Sequence, residues 1–219
     1  MKRRLFALAL ALLLAVSLPV SALAGEWFID DGDIIISATE NGQTVKQGDK
    51  DAVEDAAPVI KQNEQNNSST ATDKTIKIET TGDATADVTI EDVNISSKGD
   101  AIDVGSSSAN ITLKGKNKIL SESKSALHVS SGDVTIDGGG SLEAEIGGKD
   151  SANENAKIGS HKNENMSGSI HITGDATVTT KDDRNDNYLG NGAGIGSGKY
   201  GSMSGSITID ENANVDAFS

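Results

Sequence analysis

One stretch of thirteen residues occurs twice in this chain, and this repeat constrains the fold more than any other feature of the sequence. Residues 158–170 and 195–207 are offset by 37 positions and share nine of thirteen residues, among them the opening Ile-Gly-Ser and the closing Ser-Gly-Ser-Ile. Repeats of this length encode structural units that cannot bury their apolar side alone and therefore stack on copies of themselves. The sequence thus predicts a stacked, repetitive architecture.

Five segments share a pattern of two alternating apolar residues, a polar spacer and a further apolar residue. The alternation predicts a strand with one buried face, and spacers containing Gly, Asn or Asp predict turns. The segments are Val88, Ile90, Ile95; Ile111, Leu113, Ile119; Val134, Ile136, Leu142; Ile170, Ile172, Val178; and Ile207, Ile209, Val215.

Each of the first four segments is followed by one more apolar site, for example Ala101-Ile102 or Ala126-Leu127, so that a unit offers three short strands. The segments start 23, 23, 36 and 37 residues apart. We therefore predict an all-β fold, a right-handed parallel β-helix (solenoid) of about 23 residues per coil with insertions in the last two coils. A β-sandwich is the alternative, but it does not require near-identical units at a fixed offset.

The N-terminal residues predict export of the chain. Lys2, Arg3 and Arg4 precede an apolar run, and Ala22-Leu23-Ala24 provides a small-residue cleavage pattern, so residues 1–24 are interpreted as a signal peptide. The alternative, a membrane anchor, needs about 20 apolar residues, and this run is shorter. We expect a secreted or cell-surface protein with no membrane insertion of the mature chain.

The mature chain, residues 25–219, is predicted to be one β-helix domain. Only residues 216–219 follow Val215, so we expect the domain to be incomplete at its C-terminus; the alternative is that Phe218 folds over the end of the stack. The formal net charge is −14, and loss of the three N-terminal cations makes it −17, which argues against nucleic acid as a partner. The chain has no cysteine, so packing or bound ions must stabilise it.

An insertion rich in acidic residues carries the metal-ligand candidates Asp182, Asp183 and Asp186. Their carboxylates are oxygen ligands of the kind that Ca²⁺ prefers, and a neighbouring insertion from Asp150 to Asn155 offers more oxygens. The pair Asp182–Asp183 also admits an interpretation as catalytic carboxylates. A solvated acidic loop is the third interpretation, and the spacing does not decide among them.

Aromatic residues are few, and sugar rings stack on flat aromatic faces. Tyr188 and Tyr200 lie in the insertions that flank the last complete unit, and Trp27 lies near the mature N-terminus, so these three are the candidate ligand-binding residues. Each tyrosine could instead pack over its own loop. The histidines, His128, His161 and His171, show no metal-ligand spacing, and we expect them to face solvent.

Several segments together resemble carbohydrate-binding parallel β-helix domains secreted by anaerobic Firmicutes. The resemblance covers most of the mature chain and rests on these motifs: Gly32–Ala38, Val88-Thr89-Ile90 with Val93-Asn94-Ile95, Ile111–Leu120, Gly192–Gly196, and the Ser-Gly-Ser-Ile-x-Ile elements at Ser167 and Ser204. It implies a non-catalytic binding or adhesive role and the presence of calcium in some members.

The sequence therefore predicts a carbohydrate-binding or adhesive module whose partner is a polysaccharide or cell-wall glycan. Two alternatives stay open. One is a polysaccharide lyase or hydrolase of the β-helix type that uses Asp182 and Asp183, and the other is a structural stalk of a larger surface protein.

Overall fold

The computed structural model describes residues 24–63, 70–147, 154–182 and 192–218, and for Asp182 it describes the backbone only. These residues form an all-β structure with one short 3-10 helix, Ile29–Asp31. No helix among them is long and apolar enough to span a membrane. The strands are β1 (Glu26–Phe28), β2 (Ile34–Thr39), β3 (Gly42–Gln47), β4 (Val53–Glu54), β5 (Val59–Lys61), β6 (Ile76–Thr80), β7 (Thr85–Glu91), β8 (Asn94–Ser97), β9 (Ile102–Gly105), β10 (Ser108–Lys114), β11 (Lys116–Ser121), β12 (Leu127–Val129), β13 (Val134–Gly138), β14 (Ser141–Ile146), β15 (Ile158–Gly159), β16 (Ile170–Ile172), β17 (Thr177–Asp182), β18 (Ile195–Gly196), β19 (Ile207–Ile209) and β20 (Asn214–Ala217).

The strands belong to three sheets, and from β7 onward the chain visits these sheets in a fixed cyclic order. Sheet 1 has the order β1-β5-β7-β10-β13-β16-β19, sheet 2 has β20-β17-β14-β11-β8, and sheet 3 has β18-β15-β12-β9-β6-β2-β3-β4. All pairings are parallel except β2 with β3 and β3 with β4, which form an antiparallel extension at the end of sheet 3. Each pass through the three sheets places one strand beside its predecessor in every sheet.

Strand formation follows from the alternation of apolar and polar residues. In β7 and β10 every second side chain is buried, and the register pairs Val88 with Ile111 and Ile90 with Leu113. The same inward column continues through Ile136. Successive strands lie about 4.8 Å apart, so stacked Ile and Val side chains form one continuous core.

The corner between sheet 1 and sheet 2 uses the same backbone conformation in successive units. Its residues Asp92, Gly115, Gly174 and Glu211 have φ values of 53°, 61°, 65° and 53°, and Gly138 has a φ of 104°. Gly, Asn and Asp tolerate this left-handed region better than other residues do. The prediction that polar spacers with Gly, Asn or Asp are turns is therefore confirmed at these corners.

Corresponding positions of the five segments would place Ile111 beside Val134 and Ile119 beside Leu142, and the register corrects this alignment. The structure pairs Ile111 with Ile136, two residues beyond Val134, and pairs Ile119 with Ala144 instead of Leu142. The pairing of Ile102 with Leu127 in sheet 3 agrees with the predicted third strands.

The last unit is more exposed than the unit before it, in which Ile172, the register partner of Ile209, is fully buried. Ile209 is 49% exposed, and the side chain of Phe218 is also exposed. The prediction that the domain is incomplete at its C-terminus stays a prediction.

Candidate functional site

Most of the acidic insertion lies outside the described residues. Asp183, Asp186 and Tyr188 belong to that part of the chain. Asp182 ends β17, where its backbone is paired with Ile146, and its side chain is not described. The calcium and Tyr188 predictions therefore stay predictions.

Trp27 is held in place at the first strand of sheet 1. Its side chain is partly buried against the core, and its Nε1 donates a hydrogen bond of 2.7 Å to Oδ2 of the buried Asp55. The backbone N–H of Gly25 donates to the same carboxylate oxygen at 2.9 Å. These contacts give Trp27 a structural partner at its polar edge, so only the remaining part of the ring is open to a ligand.

Tyr200 is an exposed aromatic ring next to two ammonium groups. The residue is 72% exposed and has a φ of 64° in the turn after β18. The Nζ of Lys199 lies 5.0 Å from the ring centroid, and that of Lys162 lies 6.0 Å from it. Both distances lie within the range of cation–π attraction. We call Glu154, Lys162, Lys199 and Tyr200 the Tyr200 patch.

Glu154 connects the two lysines of this patch. Its carboxylate forms ion pairs with both Lys162 and Lys199. The hydrogen bonds from Lys162 and Lys199 lower the pKa of Glu154 and so keep it ionised. The patch therefore combines an open aromatic face, ammonium donors and a carboxylate acceptor on loops of two successive units.

A second candidate site is a group of histidines and carboxylates that we call the histidine cluster: Asp100, Asp103, His128, His161 and Glu164. The strand register determines where this cluster lies. Strand β12 pairs with β9 on one side and with β15 on the other, so His128 lies opposite Asp103 and Gly159. Asp100 lies two residues before β9, and His161 lies two residues after β15. Side chains from three successive units thus meet on sheet 3.

The contacts within the histidine cluster are short. His128 Nδ1 lies 2.8 Å from Asp103 Oδ1, and His128 Nε2 lies 2.9 Å from Glu164 Oε2. His161 Nε2 lies 2.7 Å from Asp100 Oδ1. The two imidazoles stack, with ring centroids 3.8 Å apart and an angle of 8° between their planes. One nitrogen from each ring and one oxygen of Asp100 all lie within 4.8 Å of one another.

The turn after β15 gives the cluster its shape. Ser160 Oγ donates to the carbonyl of Glu164 at 2.8 Å, and the N–H of Glu164 donates to the carbonyl of His161 at 3.1 Å. Asn163 adopts a φ of 61°, and its N–H donates to the carbonyl of Lys199 in the next unit. The backbone of His161 in turn donates to Glu164 Oε2 at 2.9 Å. This turn brings the carboxylate of Glu164 within hydrogen-bond distance of His128 Nε2.

The cluster shifts the pKa values of its members in opposite directions. Burial alone lowers the pKa of His128, but its hydrogen bonds to Asp103 and Glu164 outweigh burial and raise it. The hydrogen bond with His128 lowers the pKa of Asp103. Burial favours the protonated form of Glu164, but hydrogen bonds from His161 and His128 lower its pKa. All three groups are thereby stabilised in their charged forms.

The expectation that His128 faces solvent is wrong. Its side chain points away from the apolar core, as the strand alternation requires, but it is only 11% exposed because His161 stacks on it and Glu164 covers it. His171 does lie at the surface, where it pairs with Asp210 at 3.0 Å. Strand register could have placed Asp103 beside His128, whereas no sequence signal reveals the turn that delivers Glu164.

Comparison of the chain with protein-family models, with curated proteins and with solved structures found no match.

Proposed function

We propose that this chain is a secreted, non-catalytic module that binds a polysaccharide or cell-wall glycan, built as a right-handed parallel β-helix. The cyclic visits to three parallel sheets support this architecture, because each turn of a β-helix contributes one strand to every face. The spacing of about 23 residues in the shorter coils and the insertions in the last two belong to the same proposal. We also propose that the chain belongs to the family of carbohydrate-binding β-helix domains that it resembles.

The observation that carries the binding function is the Tyr200 patch. Tyr200 is 72% exposed as a residue, so its ring can offer an apolar face to the C–H groups of a sugar. The ammonium groups of Lys199 and Lys162 and the carboxylate of Glu154 lie beside it and can exchange hydrogen bonds with sugar hydroxyls. Contacts of this kind are weak singly, and a polymer that engages several coils gains avidity.

Secretion and calcium belong to the proposal as expectations. Residues 1–24 act as the signal peptide, and the mature protein works outside the cell, where it is held at the surface or released. Asp182, Asp183 and Asp186 remain the proposed Ca²⁺ ligands, so glycan binding should be measured with and without Ca²⁺.

A glycan array followed by affinity electrophoresis of the purified protein tests the binding function. Tyr200→Ala should weaken binding about tenfold, as expected for one stacking contact, and Tyr200→Phe should retain it. Phe218→Ala removes another exposed aromatic ring outside the patch and should leave affinity unchanged.

Other outcomes would replace the proposal. Cleavage of a polysaccharide that is lost in Asp183→Ala would support the lyase or hydrolase alternative. No binding to any glycan in the presence of Ca²⁺ would favour a structural stalk. Equal affinity of the wild type and Tyr200→Ala would remove the Tyr200 patch from the binding surface.

A further inference from the structure

We propose that Asp100, His128 and His161 bind a divalent first-row transition ion, for which Zn²⁺ is the probe. The proposal starts from convergence, since the three donors come from three successive units and lie within 4.8 Å of one another. Adjacent strands in a repetitive sheet do not require such convergence. The convergence of the three donors depends on the turn after β15, which stacks the ring of His161 on the ring of His128.

The donor atoms select the class of ion. Two imidazole nitrogens and one carboxylate oxygen suit Zn²⁺, Ni²⁺ or Cu²⁺. Ca²⁺ instead takes six to eight oxygen ligands, which this group does not offer. Glu164, whose carboxylate already lies 2.9 Å from His128 Nε2, or a water molecule completes a four-coordinate shell.

Neighbouring groups already orient these donors. Asp103 pairs with Nδ1 of His128, which leaves the other ring nitrogen turned towards Glu164, and carboxylates commonly orient metal-binding histidines in this way. The backbone N–H of Ser125 donates to Asp100 at 3.1 Å. Asp100 is only 9% exposed, so bulk water competes weakly for its carboxylate.

Electrostatics favours a cation at this position. The carboxylates of Asp100, Asp103 and Glu164 place three negative charges around the two rings, and the ammonium group of Lys124, 3.7 Å from Asp100 Oδ2, offsets only one of them. A divalent ion offsets part of that charge and relieves the repulsion between the carboxylates.

Binding requires a local rearrangement that can itself be measured. A metal ion lies close to the plane of each imidazole that binds it, so two rings stacked 3.8 Å apart at 8° cannot both point at one ion. One ring must tilt, and that ring is His161, because it lies in a turn whereas His128 lies in β12. The bound ion then ties the turn of residues 160–165 to β9 and β12.

Titration calorimetry on purified protein without a polyhistidine tag tests the site. We expect saturable binding of one Zn²⁺ per chain and no Ca²⁺ binding at this cluster. His161→Ala and Asp100→Asn should each weaken Zn²⁺ binding at least about tenfold, because even outer partners of a metal site contribute that much. His171→Ala is the matched control, since His171 also pairs with a carboxylate but lies outside the cluster, and it should bind as the wild type does.

A second measurement separates metal binding from a folding defect. Circular dichroism should show that His161→Ala is folded, because this residue belongs to a turn at the surface. Zn²⁺ should raise the thermal midpoint of the wild type and of His171→Ala, and at the same Zn²⁺ concentration it should raise that of His161→Ala clearly less. In NMR spectra of the wild type, Zn²⁺ should shift the ring protons of both cluster histidines. Lack of saturable binding, or equal Zn²⁺ affinity in the wild type, His161→Ala and Asp100→Asn, would overturn the proposal.

Discussion

At the scale of single residues, Gly159 shows how closely successive units approach one another. It has a φ of 135°, and a Cβ placed there would lie 1.8 Å from the carbonyl oxygen of Gly196 in the next unit. Gly196 is its register partner and has almost the same backbone conformation, with a φ of 134°, but the nearest atom to a Cβ there is 3.5 Å away. The two positions therefore separate backbone strain from collision between units.

Alanine at these two glycines should have unequal effects on stability. Gly196→Ala forces a side chain into a backbone region that L-residues rarely adopt and should cost about 1–3 kcal/mol. Gly159→Ala carries the same strain and also displaces the backbone of the next unit, which should cost about 1–3 kcal/mol more. Urea denaturation followed by circular dichroism measures both. Equal losses in the two variants would show that the units are not packed as closely as the structure has them.

The lowered pKa of Glu154 predicts how acid changes the contribution of the Tyr200 patch to the stability of the fold. Hydrogen bonds from Lys162 and Lys199 lower the pKa of Glu154 in the folded state below its ordinary value of 4.5. A lowered pKa of this kind stabilises the fold above the unfolded-state pKa, and the contribution is lost as pH falls through the folded-state pKa. The advantage of the wild type over Glu154→Gln in thermal midpoint should therefore be present at neutral pH, begin to shrink as the pH approaches the ordinary pKa of 4.5, and disappear once the pH falls below the lowered folded-state pKa.

The control for this prediction is a single ion pair at the surface. Glu79→Gln removes the pair with Lys77, in which both side chains are half exposed, and such pairs contribute little. Thermal melts across the same pH range should show almost no difference between this variant and the wild type. A Glu154→Gln variant that behaves in the same way would exclude a stabilising role for the ion pairs of the patch.

At the scale of elements, the sequence predicts the strands well and their alignment less well. Alternation identifies β10 and β13, because apolar residues at every second position need a buried face. A shift of two residues keeps the same face buried, so alternation cannot distinguish a pairing of Ile111 with Val134 from one with Ile136. In the structure Ile111 pairs with Ile136. Gly138, which has no side chain, therefore lies opposite Leu113, where alternation alone would have placed an apolar residue.

Turns that fold back over a strand are the elements that sequence patterns miss. His128 follows the expected alternation, yet its burial depends on His161 and Glu164, which come from a turn more than thirty residues later. No periodic signal specifies the path of such a turn. The inward core was therefore predictable from the sequence, whereas the histidine cluster on the outer face was not.

Asn117 connects three neighbouring strand segments through its buried side chain. Its Oδ1 accepts from the N–H of Val93 at 3.1 Å, and its Nδ2 donates to the carbonyls of Lys114 and Ser141 at 3.0 and 3.1 Å. The paired residue in the next strand is Leu142, so Asn117 is a polar member of an otherwise apolar column. Its amide satisfies backbone groups at the corner between sheets 1 and 2.

Replacing Asn117 by leucine should destabilise the fold even though leucine suits the column. The N–H of Val93 would lose its acceptor, and a buried unsatisfied group costs about 1–3 kcal/mol. Asn110→Ala is the control, because Asn110 is exposed and its side chain donates a hydrogen bond to the side chain of Asp87 at the surface, so the change should be within about 0.5 kcal/mol. Chemical denaturation of both variants measures the difference. An Asn117→Leu variant as stable as Asn110→Ala would mean that another group replaces the lost acceptor.

At the scale of the whole molecule, the repeated passage through three sheets makes stability depend on neighbouring units. Each inner strand is covered on both sides by strands of the same sheet, whereas a strand at the end of a sheet is covered on one side only. In such arrays stability is close to a sum of unit terms and nearest-neighbour interface terms. The same apolar residue should therefore contribute differently in an inner unit and in the last one.

Ile172 and Ile209 provide a matched test of this dependence. They are register partners in β16 and β19, but Ile172 is 0% exposed and Ile209 is 49% exposed. Ile172→Ala should cost about 2–5 kcal/mol, because it removes buried methyl groups from a column that is packed on both sides. Ile209→Ala should cost less than about 1 kcal/mol, because its side chain is half in water in the folded protein and gains less from burial.

Denaturation curves and sedimentation velocity, recorded at the same protein concentrations, measure stability and self-association together. A loss in Ile209→Ala as large as that in Ile172→Ala would show that another surface covers the last unit in solution, and a concentration dependence of the loss would identify that surface as a second copy of the chain.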